Sequence, residues 1–205
     1  DELVTEFTNG YYHEAGTYVK QYVDLIHSKI KEDKDFFLFL YGDPSQAFDA
    51  YLSPELLKQY VSFFDDAEKA VADKPDILKR VKVARLSIDY AVLEACRKSI
   101  SEDFTITENT KTLVENFMSV CNEANITLMN EMGYTVTDYG NAYLKSIEVA
   151  LQPNIASGKK VTLLTKPKKY ANENPQALTD GALGGSNFYS NWLGFEGNHL
   201  EAIID

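Results

Sequence analysis

The stretch from Pro75 to Ile100 requires two separate packing surfaces, and that requirement decides the fold class. Ile77, Val81, Ala84, Ile88, Ala91 and Ala95 recur at steps of four and three, which at about 100° per residue traces one stripe along a helix. Val83, Leu86, Tyr90 and Leu93 trace a second stripe on nearly the opposite side. A surface helix needs a single stripe, so this helix belongs in the middle of a bundle. Lys82, Arg85 and Asp89 fall in one gap between the stripes and Arg80 and Glu94 in the other, so both flanks are expected to be wet.

Helices on either side supply the neighbours. Residues from about Glu2 to Lys31 read as one helix, bent near Gly10, with Ala15, Tyr18, Val19, Tyr22, Ile26 and Ile30 at helical spacing. Asp33 to Leu52 is a connection, with Tyr-Gly-Asp-Pro at 41 to 44 as a turn and the apolar run Phe36 to Tyr41 expected against the bundle. Ser53 reads as an N-cap before Pro54, opening a helix that carries Leu57, Val61, Phe64, Ala67 and Val71 and ends near Asp73. Only a short turn separates it from Pro75, which makes the two helices antiparallel neighbours. Thr107 caps a helix with Leu113, Phe117, Val120, Cys121, Ala124 and Leu128 on one face, stopped by Gly133. Thr137 caps a last helix, Asp138 to Leu151, with Tyr143, Leu144, Ile147 and Leu151 inward, and Pro153 and Gly158 end the helical part.

From residue 159 onward the composition turns to glycine and turn residues, with Val161–Thr165 and Leu200–Ile204 reading as short strands. The expected fold is therefore mainly α. A helical bundle of four to five helices spans 1–158, and a short, incomplete β segment spans 159–205.

Charge excludes some partners. The 205-residue chain has a formal net charge of −11. Nucleic-acid affinity comes largely from Lys and Arg neutralising phosphates, so nucleic acid and anionic membrane surfaces are poor partners. No apolar run approaches the ~18 residues of a membrane helix, so no membrane insertion is expected. The sequence opens at Asp1 inside a helical pattern, without a signal peptide, and reads as a processed or excised chain. Cys96, on a flank, and Cys121, on a buried stripe, lack the close-spaced partners of a zinc or redox motif.

Chemistry-bearing motifs are sparse. A glycosidase places two carboxyl groups ~5–9.5 Å apart across the scissile bond, whereas Asp65/Asp66 and Glu102/Asp103 are adjacent and diverge. No nucleophile elbow, HExxH site, P-loop or dinucleotide fingerprint occurs. Tyr11 and Tyr12 on the first helix and Trp192 in the tail are candidate carbohydrate contacts, core or interface aromatics being the other reading. Phe195 is open to the same two readings. Asp180 is a candidate ligand for a structural calcium, against a plain Asp-Gly turn. No other cofactor is expected.

The tail also carries a resemblance. Leu178-Thr-Asp-Gly181 with Gly184, then Trp192-Leu-Gly-Phe-Glu-Gly197 and Ile203-Ile-Asp205, resembles the opening strands of the galactose-binding-like jelly roll that follows many secreted bacterial glycoside hydrolases. Glu6-Phe-Thr-Asn-Gly-Tyr-Tyr12 with Ala15 and Tyr22, then Phe64-Asp-Asp-Ala-Glu-Lys69, Arg80-Val and Ala84-Arg, is similar to the helical region behind the catalytic barrel of an uncharacterised glycoside-hydrolase-like family. The chain departs from that pattern at His13, where the family tends to have glycine, and the sandwich stops after Asp205. The resemblance implies a non-catalytic C-terminal accessory region of a secreted, periplasmic or cell-surface protein. Its partner would be an upstream catalytic domain of the same polypeptide, with glycan as a second candidate. The alternative is a free-standing carbohydrate- or protein-binding module.

Overall fold

A computed structural model describes residues 2–35, 37, 42–152, 155–168, 174–180 and 192–205. Within them the chain forms helices α1 (Glu2–Tyr12), α2 (Gly16–Glu32), α3 (Pro54–Ala70), α4 (Pro75–Lys98), α5 (Glu108–Glu123) and α6 (Val136–Ala150), then strands β1 (Val161–Leu163) and β2 (Ala202–Ile204). The mainly α bundle with a short β segment is the fold the sequence requires.

The two stripes of α4 face two different cores. Ile77, Val81, Ile88, Ala91 and Ala95 join Val19 of α2 and Leu57, Tyr60 and Phe64 of α3 in one cluster. Leu86 and Leu93 join Val114, Phe117 and Cys121 of α5 and Tyr139, Tyr143 and Ile147 of α6 in another. A helix that separates two apolar clusters is held from both sides.

Side-chain caps place the starts of α3, α5 and α6. Ser53 accepts from the Leu56 amide at 3.4 Å, with Pro54 in the first turn of α3. Thr107 and Thr110 form a reciprocal capping box at the start of α5. Thr135 caps α6 by accepting from the Asp138 amide at 3.0 Å, two residues before the expected Thr137.

Several expectations are corrected. The first helix is broken at a 3-10 turn, His13–Ala15, where His13 takes a φ of 52°, the left-handed region that glycine adopts most readily. The corner is tight: a Cβ on Gly16 would lie 2.5 Å from the Thr8 carbonyl oxygen. Helix α3 ends at Ala70. Helix α5 ends at Glu123, with Asn125 at a φ of 56°, and Leu128 instead forms an isolated bridge to Thr135. Its buried face is Thr110, Val114, Phe117 and Cys121, while Leu113 and Leu128 are exposed. At the end of α6, Leu151 is exposed although Tyr143 and Ile147 are buried. Cys96 is buried in the first core, where loss of solvation raises its thiol pKa to about 11. Of the run Phe36 to Tyr41, Phe37 is exposed and the rest lie outside the described residues.

β1 and β2 pair antiparallel, Val161 opposite Ile204 and Leu163 opposite Ala202. A 3-10 turn, Pro175–Leu178, braces them: the Gln176 side chain accepts from the Val161 amide at 2.9 Å and donates to the Lys159 carbonyl at 3.1 Å.

Candidate functional site

The outward face of α1 is exposed and apolar. Thr8 is its one buried residue among those described, whereas Leu3, Phe7 and Tyr11, spaced four apart, are 79%, 58% and 42% exposed. Residues at that spacing form a continuous ridge on a helix. A shallow groove lined by Leu3, Glu6, Phe7, Gly10 and Tyr11 runs beside it. Nothing lies within 4 Å of where a Cβ on Gly10 would stand, so the groove is open there.

The ridge is held rigidly at its C-terminal end. The Phe7 and Tyr11 rings stack with centroids 5.4 Å apart and planes 10° apart, and Tyr12 meets Tyr11 edge-on at 4.9 Å. Arg80 of α4 donates from Nη1 to the Tyr11 carbonyl at 2.9 Å and lays its guanidinium 4.7 Å from the Tyr11 ring centroid. Glu14 and Lys74 form an ion pair at the corner. Tyr12 is half-buried against the first core, and that burial, with Tyr11 beside it, raises its hydroxyl pKa.

Comparison with protein-family models, with curated proteins and with solved structures found no match.

The candidate aromatics therefore separate into two places. Tyr11 and Tyr12 stand together on α1, while Trp192, 45% exposed, belongs to the C-terminal segment. Phe195 is half-buried there, in the turn before Asn198. Asp180 is exposed, its amide donating to the Gln176 carbonyl at 2.9 Å. Gly181, Gly184 and Gly185, which follow it in the resemblance, lie outside the described residues. Among the described residues no group of three or more His, Cys, Asp or Glu is placed to hold a metal ion. No described helix is long and apolar enough to cross a membrane.

The adjacent acidic residues Asp65, Asp66 and Asp103 hold cations at the surface. Arg85 donates to Asp65 at 2.6 Å, to Glu68 at 3.0 Å and, through Nε, to Asp89 at 3.0 Å. Burial opposes the Arg85 charge, but Asp89, Asp65 and Glu68 outweigh it and leave the pKa above its usual value. Burial also raises the Asp89 pKa, against the pull of Arg85. Asp66 pairs with Lys69 at 3.2 Å and Asp103 with Lys58. A cleft between α3, α4 and α5 lies over the Arg85 group, lined also by Lys82, Leu113 and Asn116.

Glu94 overturns the expectation of a wet flank. It is 2% exposed and accepts from the Tyr139 hydroxyl at 2.8 Å, with Arg97 Nη1 at 3.5 Å. Arg97 stacks on Tyr143 at 4.4 Å and on Tyr139 at 5.3 Å from the ring centroids, and its Nε and Nη2 are buried without a hydrogen-bond acceptor. Those donors face aromatic rings, whose π density takes up part of the charge. Buried and bonded across the two helices, the cluster is an internal polar clamp between α4 and α6.

Sequence reasoning passed over Leu3 and Phe7 because its stripe for the first helix began at Ala15. Their four-residue spacing with Tyr11 is visible in the sequence. That the stripe faces away from the bundle follows from the break at His13.

Proposed function

We propose that this chain is the non-catalytic accessory region of a larger, secreted glycoside-hydrolase-like protein, docked through the outward face of α1 onto a catalytic barrel that precedes it. The observation supporting this reading is the ridge of Leu3, Phe7 and Tyr11, an apolar surface on a helix that buries only Thr8 among its described residues. Contiguous exposed apolar surface marks interaction sites. The stacking of Phe7 on Tyr11 and the Arg80 guanidinium hold the ridge in one shape, which lowers the entropic cost of docking.

The accessory role fits the engaged carboxylates. Asp65, Asp66 and Asp103, three of the four adjacent acidic residues, each serve as an ion-pair partner. Localisation outside the cytoplasm, in the periplasm or at the cell surface, comes with the resemblance.

The test is to express the preceding region of the polypeptide with and without this chain and to assay aryl-glycoside hydrolysis and thermal stability. Activity or stability of the preceding region that depends on this chain, and that Phe7→Asp abolishes, is the expected result. Hydrolysis by this chain alone, lost on replacing a single Asp or Glu, would refute it. The half-exposed Trp192 favours a second reading, a carbohydrate-binding module. Glycan-array binding by the isolated chain that is lost in Trp192→Ala would select that reading.

A further inference from the structure

We infer, resting on the docking role of α1, that the surface it meets is a helix whose apolar ridge is flanked by lysine or arginine. The ridge of Leu3, Phe7 and Tyr11 follows the four-residue spacing that packs into the grooves of another helix, and Gly10 beside it leaves room for a side chain of that helix to enter. Charge selects which helix. Glu2 and Glu6 border the ridge, are exposed and make no ion pair among the described residues. Standing four residues apart, they form a like-charge pair that repels along the helix. A cation from the partner relieves that repulsion and brings a positive rim to a negative one.

The same charges disfavour a second copy of this chain as the occupant. Two copies would each bring Glu2, Glu6 and a net charge of −11 to the interface, while Arg80 is already committed to Tyr11. An acidic or uncharged helix would leave Glu2 and Glu6 uncompensated at the rim.

Two synthetic peptides of about 18 residues test the inference, both with Leu at positions i, i+3, i+4 and i+7 and differing only in flanking Lys or Glu. Binding to the chain is measured by fluorescence anisotropy at about 0.15 M salt, where unpaired surface charges are largely screened. The Lys-flanked peptide is expected to bind about five- to tenfold more tightly, the effect of two exposed ion pairs. Glu2→Gln with Glu6→Gln should erase that preference, weakening the Lys-flanked peptide and relieving the repulsion of the Glu-flanked one. Phe7→Asp should abolish binding of both.

Equal affinity for the two peptides, or a preference that survives in the Glu2→Gln, Glu6→Gln variant, overturns the basic-flank inference while leaving α1 as the docking face. Binding of neither peptide overturns the helical partner. Binding that persists in Phe7→Asp counts against the docking face itself.

Discussion

The Glu94 carboxylate accepts a 2.8 Å hydrogen bond from the Tyr139 hydroxyl, joining α4 to α6 at a point that solvent barely reaches. Burial raises the Glu94 pKa, against the opposing pull of Arg97 and of the Tyr139 hydrogen bond. A carboxyl group with a raised folded-state pKa holds its proton more tightly when folded. Its contribution to stability is complete below the ordinary value of 4.5 and is lost as the pH rises through the folded one. Glu94→Gln should therefore match the wild type near the acid end of that window and become the more stable protein as the pH rises. Urea unfolding of both proteins from pH 4.5 to 8 checks this. A wild type that gains on the variant with rising pH would mean that pairing with Arg97 outweighs burial.

Helix α4 should be equally sensitive on its two sides. Ile88 and Leu93 are each 1% exposed but belong to different clusters. Replacing either with Ala should cost about 2–5 kcal/mol in urea unfolding, the range for deleting a buried aliphatic side chain. A change below about half a kcal/mol at either site, the size of an ordinary surface substitution, would remove that face from the core.

His13→Gly should stabilise the corner between α1 and α2. The left-handed conformation costs a residue with a Cβ about 1–2 kcal/mol, and the added freedom of glycine in the unfolded chain offsets part of the gain. A net increase of up to about 1 kcal/mol is expected in urea unfolding, with His13→Val falling below the wild type. A His13→Gly protein less stable than the wild type would show that the imidazole contributes more than its backbone strain costs.

These three sites also mark how far the sequence could be read. The two stripes of α4 were legible because apolar spacing reports directly on packing surfaces, and each found its cluster. Glu94 was not, because a carboxylate between two stripes reads as solvated until a tyrosine hydroxyl from a distant helix is known to meet it. The end of α5 was placed at Gly133, the stronger breaker by residue type, whereas Asn125 took the left-handed position first. The sequence reads as one helix bent near Gly10, whereas the helix breaks at His13, which adopts the positive φ. The α1 ridge needed the fold itself, since spacing identifies an apolar face and only the arrangement of helices says whether a neighbour covers it.

The β segment should be the less stable part of the molecule. A two-stranded sheet is marginal in water, and of its six strand residues only Val161 is buried, while Ile203 and Ile204 are half exposed. Hydrogen exchange followed by mass spectrometry in dilute solution should show the amides of Leu200 to Ile204 exchanging faster than those of Ala84 to Leu93. Equal protection would mean that the segment is a complete structural element.

The docking role of α1 is tested most directly by the exchange of its own backbone amides, compared between the isolated chain and the longer polypeptide that includes the preceding region. Burial of the Leu3, Phe7 and Tyr11 ridge should slow exchange from Thr5 to Tyr12 by at least about tenfold, equivalent to about 1.4 kcal/mol of added protection. The amides of Ala84 to Leu93 should not change. Exchange along α1 that is the same in both proteins would mean that nothing docks there, and the accessory role would fall with it.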